Sequence, residues 1–232
     1  MTQLQTYFPF GPPIGHAVLP DELINDLNKG CDDIVKDEEL AKSQDWSHNL
    51  VGQVEQELLI PREIINKWGK WFGVQVRSYV AGYFNQLYLP GQNILHSSKK
   101  EVAKSISTMQ TNAHSAWYVR SFAGDFNPIH THTDCQLTCV GYLKVPDLSK
   151  EREKILGNAG NAGALEILGP AGSNQSAYFE SDRIGLIPNV GNWYLFPANL
   201  RHVVYPFKCD GERRSFSINL NTNIFRGVIA GQ

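Results

Sequence analysis

From about residue 112 onward, the chain consists of short hydrophobic or alternating runs that are separated by glycine, proline and asparagine. These runs cover residues 116–123, 137–145, 163–168, 184–187, 191–196, 202–207 and 214–221. Runs of this length between turn-forming residues are typical of β-strands, because helices need longer stretches with a period near 3.6 residues. The pattern therefore predicts a β-barrel or a β-sandwich for this part of the chain.

The first part of the chain has a different pattern. Leu23, Leu27 and Cys31 recur at helical spacing after Pro20, and a second apolar series begins after Pro61. This predicts two amphipathic helices that pack on the outside of a sheet, and we assign the aromatic face of the second helix to the core. A chain of 232 residues can form one all-β domain. We therefore expect a single domain over 1–232, with 1–112 as mostly helical support and 113–232 as the β core.

Two histidines and an aspartate occupy alternate positions in a short segment of the β region. The segment contains His130, His132 and Asp134, and another histidine, His202, follows after several predicted strands. Alternate residues of a strand point to the same face, so His132 and Asp134 are predicted to converge inside the barrel. Two imidazoles and one carboxylate that leave open metal positions are typical of non-haem iron(II) oxygenases.

The chain resembles a bacterial and phage family of 2-oxoglutarate/iron(II) oxygenases that is related to the prolyl hydroxylases. The matching segments are 117–132, 137–146, 163–170 and 191–219, and Ser47-His-Asn-Leu-Val-Gly-Gln53 is a weaker match in the first half of the chain. The resemblance implies a mainly β fold with flanking helices, namely a double-stranded β-helix, which is a cupin-like jelly-roll barrel.

The resemblance also implies the site residues. His132, Asp134 and His202 would hold iron(II) and form the catalytic centre, and Arg213 with Ser215 would bind 2-oxoglutarate. Arginine suits this task because its planar fork pairs with both oxygens of a carboxylate. Arg214, the next residue of the predicted strand, would then face outward.

The expected activity is that of a dioxygenase that couples oxidative decarboxylation of 2-oxoglutarate to hydroxylation of another substrate. The cofactor would be iron(II), the co-substrates 2-oxoglutarate and dioxygen, and ascorbate could keep the iron reduced. Kinship with prolyl hydroxylases suggests a peptidyl or free amino acid as the prime substrate, which the motifs do not identify. Such kinship is a weak argument for substrate choice.

Two further features concern the surroundings of the predicted site. Relatives usually have two aromatic residues where this chain has Gly141 and Tyr142, so an aromatic contact to the co-substrate is expected to be missing at Gly141. The segment 147–178 is rich in charged residues, glycine and other small residues, which predicts loops. A loop in this region could act as a lid over the substrate.

Three other interpretations remain open from the residues themselves. A cupin-type metalloenzyme would use His130, His132 and His202 as ligands, which leaves Arg213 without a role. In the oxygenase, His130 would instead lie beside the ligands. A zinc site that adds Cys135 and Cys139 is disfavoured, because those residues fall on the opposite face of a strand. Finally, the jelly roll could be a binding domain without catalytic activity.

Charge and composition narrow the range of partners. The formal net charge is −2 and the positive residues are scattered, so the sequence favours neither nucleic acid nor a membrane surface as a partner. The chain has no long apolar segment and only four irregularly spaced cysteines. We therefore expect a cytoplasmic protein whose thiols are free. The protein could form a homodimer.

Overall fold

The structure is a computed structural model that describes residues 5–7, 12–87, 98–153, 161–169 and 183–224. Its helices are α1 (Asp21–Val35), α2 (Glu38–Ser43), α3 (Arg62–Leu87), α4 (Lys99–Ser107) and α5 (Ser149–Glu153). Its strands are β1 (Gln5–Tyr7), β2 (Ile14–Val18), β3 (Gln56–Leu59), β4 (Thr111–Ser121), β5 (Asn127–His130), β6 (Leu137–Lys144), β7 (Leu165–Leu168), β8 (Arg183–Leu186), β9 (Asn192–Pro197), β10 (His202–Val204) and β11 (Arg213–Thr222).

The strands form two antiparallel sheets. The larger sheet has seven strands in the order β1-β2-β9-β6-β11-β4-β3, and the smaller has four in the order β5-β10-β7-β8. Strand β11 lies between β4 and β6, with which it pairs along most of its length. The prediction of a mainly β fold with flanking helices is confirmed.

Two hydrophobic clusters correspond to the two faces of the larger sheet. One cluster joins the outer face of the sheet to α1 and α3, and it includes Leu27, Phe72, Val76, Trp193 and Phe216. The other consists of apolar residues from both sheets, with Tyr142, Ile167, Tyr194 and Phe196 among its members. The sheet therefore separates a helix-covered layer from the interior of the barrel.

The two predicted helices are confirmed as α1 and α3. Helix α1 begins after Pro20 and buries Leu23, Leu27 and Cys31 as the spacing predicts. Helix α3 begins after Pro61, and its aromatic residues pack in the core layer. The first 112 residues do more than support the barrel, however, because β1, β2 and β3 also extend both edges of the larger sheet. Their role as part of one domain stays a prediction.

The predicted loop 147–178 lies only partly within the described residues. Helix α5 and strand β7 fall inside it, whereas 154–160 and 170–178 lie outside the described residues, and so does most of the expected lid. Among the helices that the structure describes, none is long and apolar enough to span a bilayer.

Candidate active site

Three histidines meet inside the barrel. His130 and His202 lie directly opposite each other on the paired strands β5 and β10, which explains why their rings are close. His132 follows in the next loop, where its backbone N–H donates to the carbonyl of Ala198 at 2.9 Å. One ring nitrogen from each histidine lies within 4.8 Å of the others. We call His130, His132 and His202 the histidine cluster.

Local backbone contacts fix the orientation of two rings in the cluster. Nδ1 of His130 lies 2.7 Å from the carbonyl oxygen of Pro128, and Nδ1 of His202 lies 2.9 Å from that of Leu200. A carbonyl oxygen only accepts, so Nδ1 of each neutral ring carries the proton. Nε2 of both rings then keeps a lone pair, as a metal ligand requires.

His202 is buried and the other two rings of the cluster are half-buried, and these surroundings disfavour protonation of the imidazoles. Burial, together with the smaller effect of the neighbouring His130, lowers the pKa of His132 to about 4 and that of His202 to about 3. Burial also lowers the pKa of His130. The three rings are therefore neutral near pH 7, which is the protonation state that binds a metal.

The donor set fits a divalent transition metal. Nε2 of His132 and Nε2 of His202 lie 3.3 Å apart. Two nitrogens bound to one ion by bonds of about 2.1 Å are roughly 3 to 3.4 Å apart, so the observed separation suits a shared ion. Imidazole nitrogens suit iron, zinc, copper and nickel, so the cluster does not by itself select the metal.

Asp134 lies outside the histidine cluster. Strand β5 ends at His130, so the prediction that His132 and Asp134 alternate on a strand is wrong. Asp134 has a positive φ of 60° and an exposed side chain. It lines a separate surface groove, together with Lys70, Arg77 and Asn221. The role of Asp134 as an iron ligand stays a prediction.

Cys135 and Cys139 are free and are not part of the histidine cluster.

The cluster lies at a cavity of about 150 Å³. Trp117 stacks on His132 at a ring distance of 5.8 Å, and Phe196 meets the edge of His202 at 5.1 Å. These rings shield the imidazoles from water. The cavity also reaches exposed residues of two loops, namely Asn49 and Val51 on one side and Thr131 and Thr133 on the other. The cavity therefore opens to solvent beside these loops.

Strand β11 gives the cavity a polar wall. Ser215, Ser217 and Asn219 alternate along the strand and line the cavity. The hydroxyl of Thr138 donates to Oδ1 of Asn219 at 3.1 Å, and Asn219 also forms a hydrogen bond with His132. Alternation thus places Ser215, as predicted, on the inner face, where it can donate to a ligand.

Arg213 begins the same inward series but lies behind the cavity wall. The side chain is buried, and it donates to the carbonyl of Gly163 and to Oγ of Ser121, both at 2.9 Å. Its Nε–H has no partner in the described structure. An unsatisfied charged donor in a buried position is unfavourable unless an anion or water reaches it. Arg213 is therefore suited to receive a carboxylate, as predicted.

Arg214 points to the opposite face of the sheet, as predicted, but it is not exposed to solvent. It is buried under α1, where it pairs with Glu212 at 2.8 Å and with Asp32 at 2.8 Å. It also donates to the carbonyl oxygen of Asn28 at 3.2 Å. Arg214 therefore joins the sheet to helix α1.

The replacement of an aromatic residue by Gly141 has a steric explanation. A Cβ on Gly141 would lie 2.2 Å from the ring of Phe216, on the helix-covered face. Tyr142 faces the opposite way and is buried in the cluster between the sheets. It lies close enough to Arg213 for the guanidinium charge to oppose the effect of burial, which raises the pKa of Tyr142. The inward aromatic residue is thus present, and Gly141 does not face the barrel interior.

The sequence interpretation missed Glu57 and Asn127, which also line the cavity. Glu57 is a buried carboxyl on β3, and Asn127 begins β5. The signal in the sequence is weak, since Glu57 is one acidic residue before Leu58-Leu59-Ile60 in a region that was assigned to helical support.

Comparisons with known proteins agree with this site. Residues 115–219 match the protein-family model described as "Putative 2OG-Fe(II) oxygenase", where 2OG is 2-oxoglutarate, and this segment contains the whole histidine cluster and Arg213. No match was found among curated protein sequences.

Several solved structures are similar to this chain at low sequence identity. A prolyl-4-hydroxylase from Pseudomonas putida is 14% identical, with 95% of this chain aligned to 93% of that chain at a TM-score of 0.52. A viral collagen prolyl hydroxylase from Paramecium Bursaria Chlorella virus-1 is also 14% identical, with 94% of each chain aligned and a TM-score of 0.46. A 2OG-Fe(II) oxygenase family oxidoreductase from Burkholderia pseudomallei is 14% identical over 49% of this chain and 46% of that chain, with a TM-score of 0.34.

Residues 115–219 match the 2-oxoglutarate/iron(II) oxygenase class, and the chain shares its fold, a double-stranded β-helix, with a solved prolyl-4-hydroxylase. The predicted resemblance to the family related to prolyl hydroxylases is confirmed, and 115–219 is the part of the chain that carries the family match. Iron(II) and 2-oxoglutarate are the cofactor and co-substrate of this class, and the predicted dioxygenase activity is confirmed at that level.

Proposed function

We propose that this oxygenase holds iron(II) on His130, His132 and His202, and that it hydroxylates a peptidyl or free amino acid. The observation that carries the ligand assignment is the convergence of the three imidazoles within 4.8 Å, while Asp134 lies outside the cluster. This ligand set is the one that the cupin interpretation gave. Here it is combined with the co-substrate site of an oxygenase.

The iron, when bound, would activate dioxygen, so that 2-oxoglutarate yields succinate and carbon dioxide while one oxygen atom enters a substrate C–H bond. The protein supplies the neutral donors: Pro128 and Leu200 hold the Nδ1 protons of His130 and His202, which keeps each Nε2 available. Trp117 and Phe196 limit the access of water to these rings.

The co-substrate would lie along strand β11. Arg213 pairs with Ser121, Ser215 with Val119 and Ser217 with Trp117, so this inner row runs from the arginine towards Trp117, which stacks on His132. One carboxylate of 2-oxoglutarate would accept from the unpartnered Nε–H of Arg213 and from the hydroxyl of Ser215. A charged donor held by Gly163 and Ser121 needs little reorganisation to bind it.

The prime substrate is proposed from fold similarity alone. The similarity to the prolyl-4-hydroxylase of Pseudomonas putida, at a TM-score of 0.52, motivates peptidyl or free amino acids as the first compounds to test. Ascorbate would serve as the reductant in such assays.

We also propose a cytoplasmic location, supported by four cysteines that are all free. A homodimer stays a prediction, which light scattering of the purified protein would test.

The test is an anaerobic titration of the metal-free protein with iron(II) and then with 2-oxoglutarate. The measurement is the visible charge-transfer band between iron and the keto acid, in wild type, His130→Ala, Asp134→Ala and Arg213→Ala. We expect the band in wild type and in Asp134→Ala. The band should be lost in His130→Ala. In Arg213→Ala, a higher concentration of 2-oxoglutarate should be needed to produce the same band.

The two ligand assignments predict opposite results for the first pair of variants. Loss of the band in Asp134→Ala, with retention in His130→Ala, would overturn the three-histidine assignment and support Asp134. Absence of the band in wild type that binds stoichiometric iron(II) would overturn 2-oxoglutarate as the co-substrate of this chain. Circular dichroism of each variant separates these results from failure to fold.

A further inference from the structure

Glu57 is a buried carboxyl in the wall of the active-site cavity. Its side chain is 1% exposed and lines the same cavity as the histidine cluster. Glu57 pairs with Val119 in the β3/β4 ladder, and directly paired residues project to the same side of a sheet. Val119 also lines the cavity. Glu57 therefore faces the barrel interior rather than the helices.

The strand register places Glu57 beside the region between Arg213 and the histidine cluster. On β4, Ser121 contacts Arg213, Val119 lies next to Glu57, and Trp117 stacks on His132. A molecule that reached the cluster from the exposed loops would pass this wall. Glu57 is thus positioned to contact what enters the cavity.

Oε2 of Glu57 has no hydrogen-bond partner, and Asn127 forms a hydrogen bond with the carboxyl. No lysine or arginine in the described parts of the chain forms an ion pair with Glu57. Buried carboxyls without such compensation are unfavourable, because folding removes their hydration. A ligand that supplies a donor would relieve this cost.

The backbone of the loop that contains Val51 and Gly52 is packed against the Glu57 carboxyl. A Cβ on Gly52 would lie 2.8 Å from Oε1 of Glu57 and 2.7 Å from Nδ2 of Asn127, so a larger residue at position 52 would displace these side chains. The same loop contributes Asn49, Leu50 and Val51 to the cavity. Glu57 and the residues that border the cavity mouth therefore form one packed unit.

The surroundings of Glu57 favour a positive ligand. Burial, together with the smaller effect of the Asp45 charge, raises the pKa of Glu57 to about 7. Both effects oppose a negative charge on Glu57, and a nearby cation would reverse them. A neutral hydroxyl would compensate less, since hydrogen bonds between charged groups are the stronger ones.

We propose that Glu57 is a specificity-determining residue that binds a basic nitrogen, an ammonium or guanidinium group, of the prime substrate. This proposal rests on the proposed function, because it assumes that the substrate enters the cavity of the histidine cluster. It narrows the substrate class to molecules in which the oxidised C–H bond lies near a cationic nitrogen. Anionic substrates are disfavoured at this position.

The test measures binding of a minimal cation rather than turnover. The protein is loaded with zinc(II), which is redox-inert, and with 2-oxoglutarate. Saturation-transfer NMR at pH 8 then gives the Kd of n-butylammonium and of n-butanol, which differ in the charged group. The proteins are wild type, Glu57→Gln and, as a matched control, Glu55→Gln. Glu55 is an exposed carboxylate two residues away that loses the same charge.

We expect wild type and Glu55→Gln to bind butylammonium about tenfold more tightly than butanol. Glu57→Gln should lose this preference while its affinity for butanol stays unchanged. The proposal is overturned if wild type shows no preference for the cation, if Glu57→Gln keeps it, or if Glu55→Gln loses it equally.

The same samples separate this proposal from the proposed function. Binding of zinc(II) and 2-oxoglutarate is measured first by calorimetry. If they do not bind to wild type, the proposed function fails, and the amine titration on the metal-free protein still tests Glu57. If both bind and the amine preference is absent, only the role of Glu57 fails.

Discussion

The two faces of the larger sheet differ in the residues that they present, although the same strands form both. Along β11, the residues that face the barrel are Arg213, Ser215, Ser217 and Asn219. The intervening residues, which face the helices, are Arg214, Phe216, Ile218 and Leu220. Along β11, the inner face is polar and borders a cavity, whereas the outer face is apolar except for one ion-paired arginine. Because side chains alternate along a strand, the residues of β11 that line the cavity and those that stabilise the fold lie on opposite faces.

Two neighbouring residues of β11, one on each face, can therefore be substituted separately and their effects compared. A substitution on the outer face should change the free energy of unfolding, whereas its neighbour on the inner face should change ligand binding. The adjacent arginines show the difference best, since Arg213 keeps a donor without a partner and Arg214 is bound by two carboxylates.

The largest effect is expected from Phe216→Ala. Phe216 is fully buried beside Phe72 and Gly141, so its removal leaves a cavity that should lower the free energy of unfolding by about 3–5 kcal/mol. Ser217→Ala, the inner neighbour, should lower it by less than about 1 kcal/mol. Urea denaturation measures both, and equal losses would contradict the separation of the faces.

The arginine pair should show the next largest effect. Arg214→Ala removes charged hydrogen bonds to Glu212 and Asp32 and should lower the free energy of unfolding by about 2–3 kcal/mol, with the Kd of 2-oxoglutarate unchanged. Arg213→Ala should instead raise that Kd at least about tenfold. Calorimetric titration and denaturation of both variants check this, and a weakened 2-oxoglutarate affinity in Arg214→Ala would break the comparison.

The histidine cluster makes the inner face sensitive to acid. The pKa of His132 is about 4 in the folded protein, below the ordinary value of 6.5, so the unfolded state takes up a proton first as the pH falls. Stability is fully present above about pH 6.5 and declines below it, by about 2 kcal/mol at pH 5 for this residue. Denaturation of metal-free wild type and His132→Asn at pH 7 and pH 5 measures the difference. If the free energy of unfolding depended equally on pH in both proteins, His132 would not be the cause of the acid sensitivity.

The smallest predicted effect concerns Gly141. Gly141→Ala places a methyl group against the ring of Phe216 and should cost about 1–2 kcal/mol of stability. Gly185→Ala on β8 is the control, because no atom of the described residues lies within 4 Å of its added Cβ. The melting temperature should fall in the first variant only. Both variants should bind 2-oxoglutarate like wild type, because Gly141 faces away from the cavity.

The sequence predicted those parts of the fold whose periodicity is local. Helices α1 and α3 and the strands from β6 to β11 follow apolar patterns that their own residues show. Strands β2 and β3 were not predicted, because each is short and pairs with a distant strand, β9 or β4. Pairing over such separations leaves no periodic signal in the segment itself.

The placement of the candidate site residues in the fold was predicted as far as strand geometry applied. His130, His202 and Arg213 lie on strands, and the structure places them in or beside the barrel interior. Asp134 was assigned by extending strand alternation beyond His130, where the chain leaves the sheet. Glu57 was missed because a single buried carboxyl has no recognisable spacing. The proposed role of Glu57 rests on its contacts with Gly52 and Asn127, which only the folded chain shows.

Strand β11 is hydrogen-bonded on both sides, to β4 and to β6, and it lies near the middle of the seven-stranded sheet. Its amide protons should therefore exchange with deuterium only when the whole domain unfolds, whereas the loops around the cavity mouth open far more often. The row of residues that would anchor 2-oxoglutarate should thus stay in place during local openings, so that the proposed co-substrate site would be assembled before any ligand arrives.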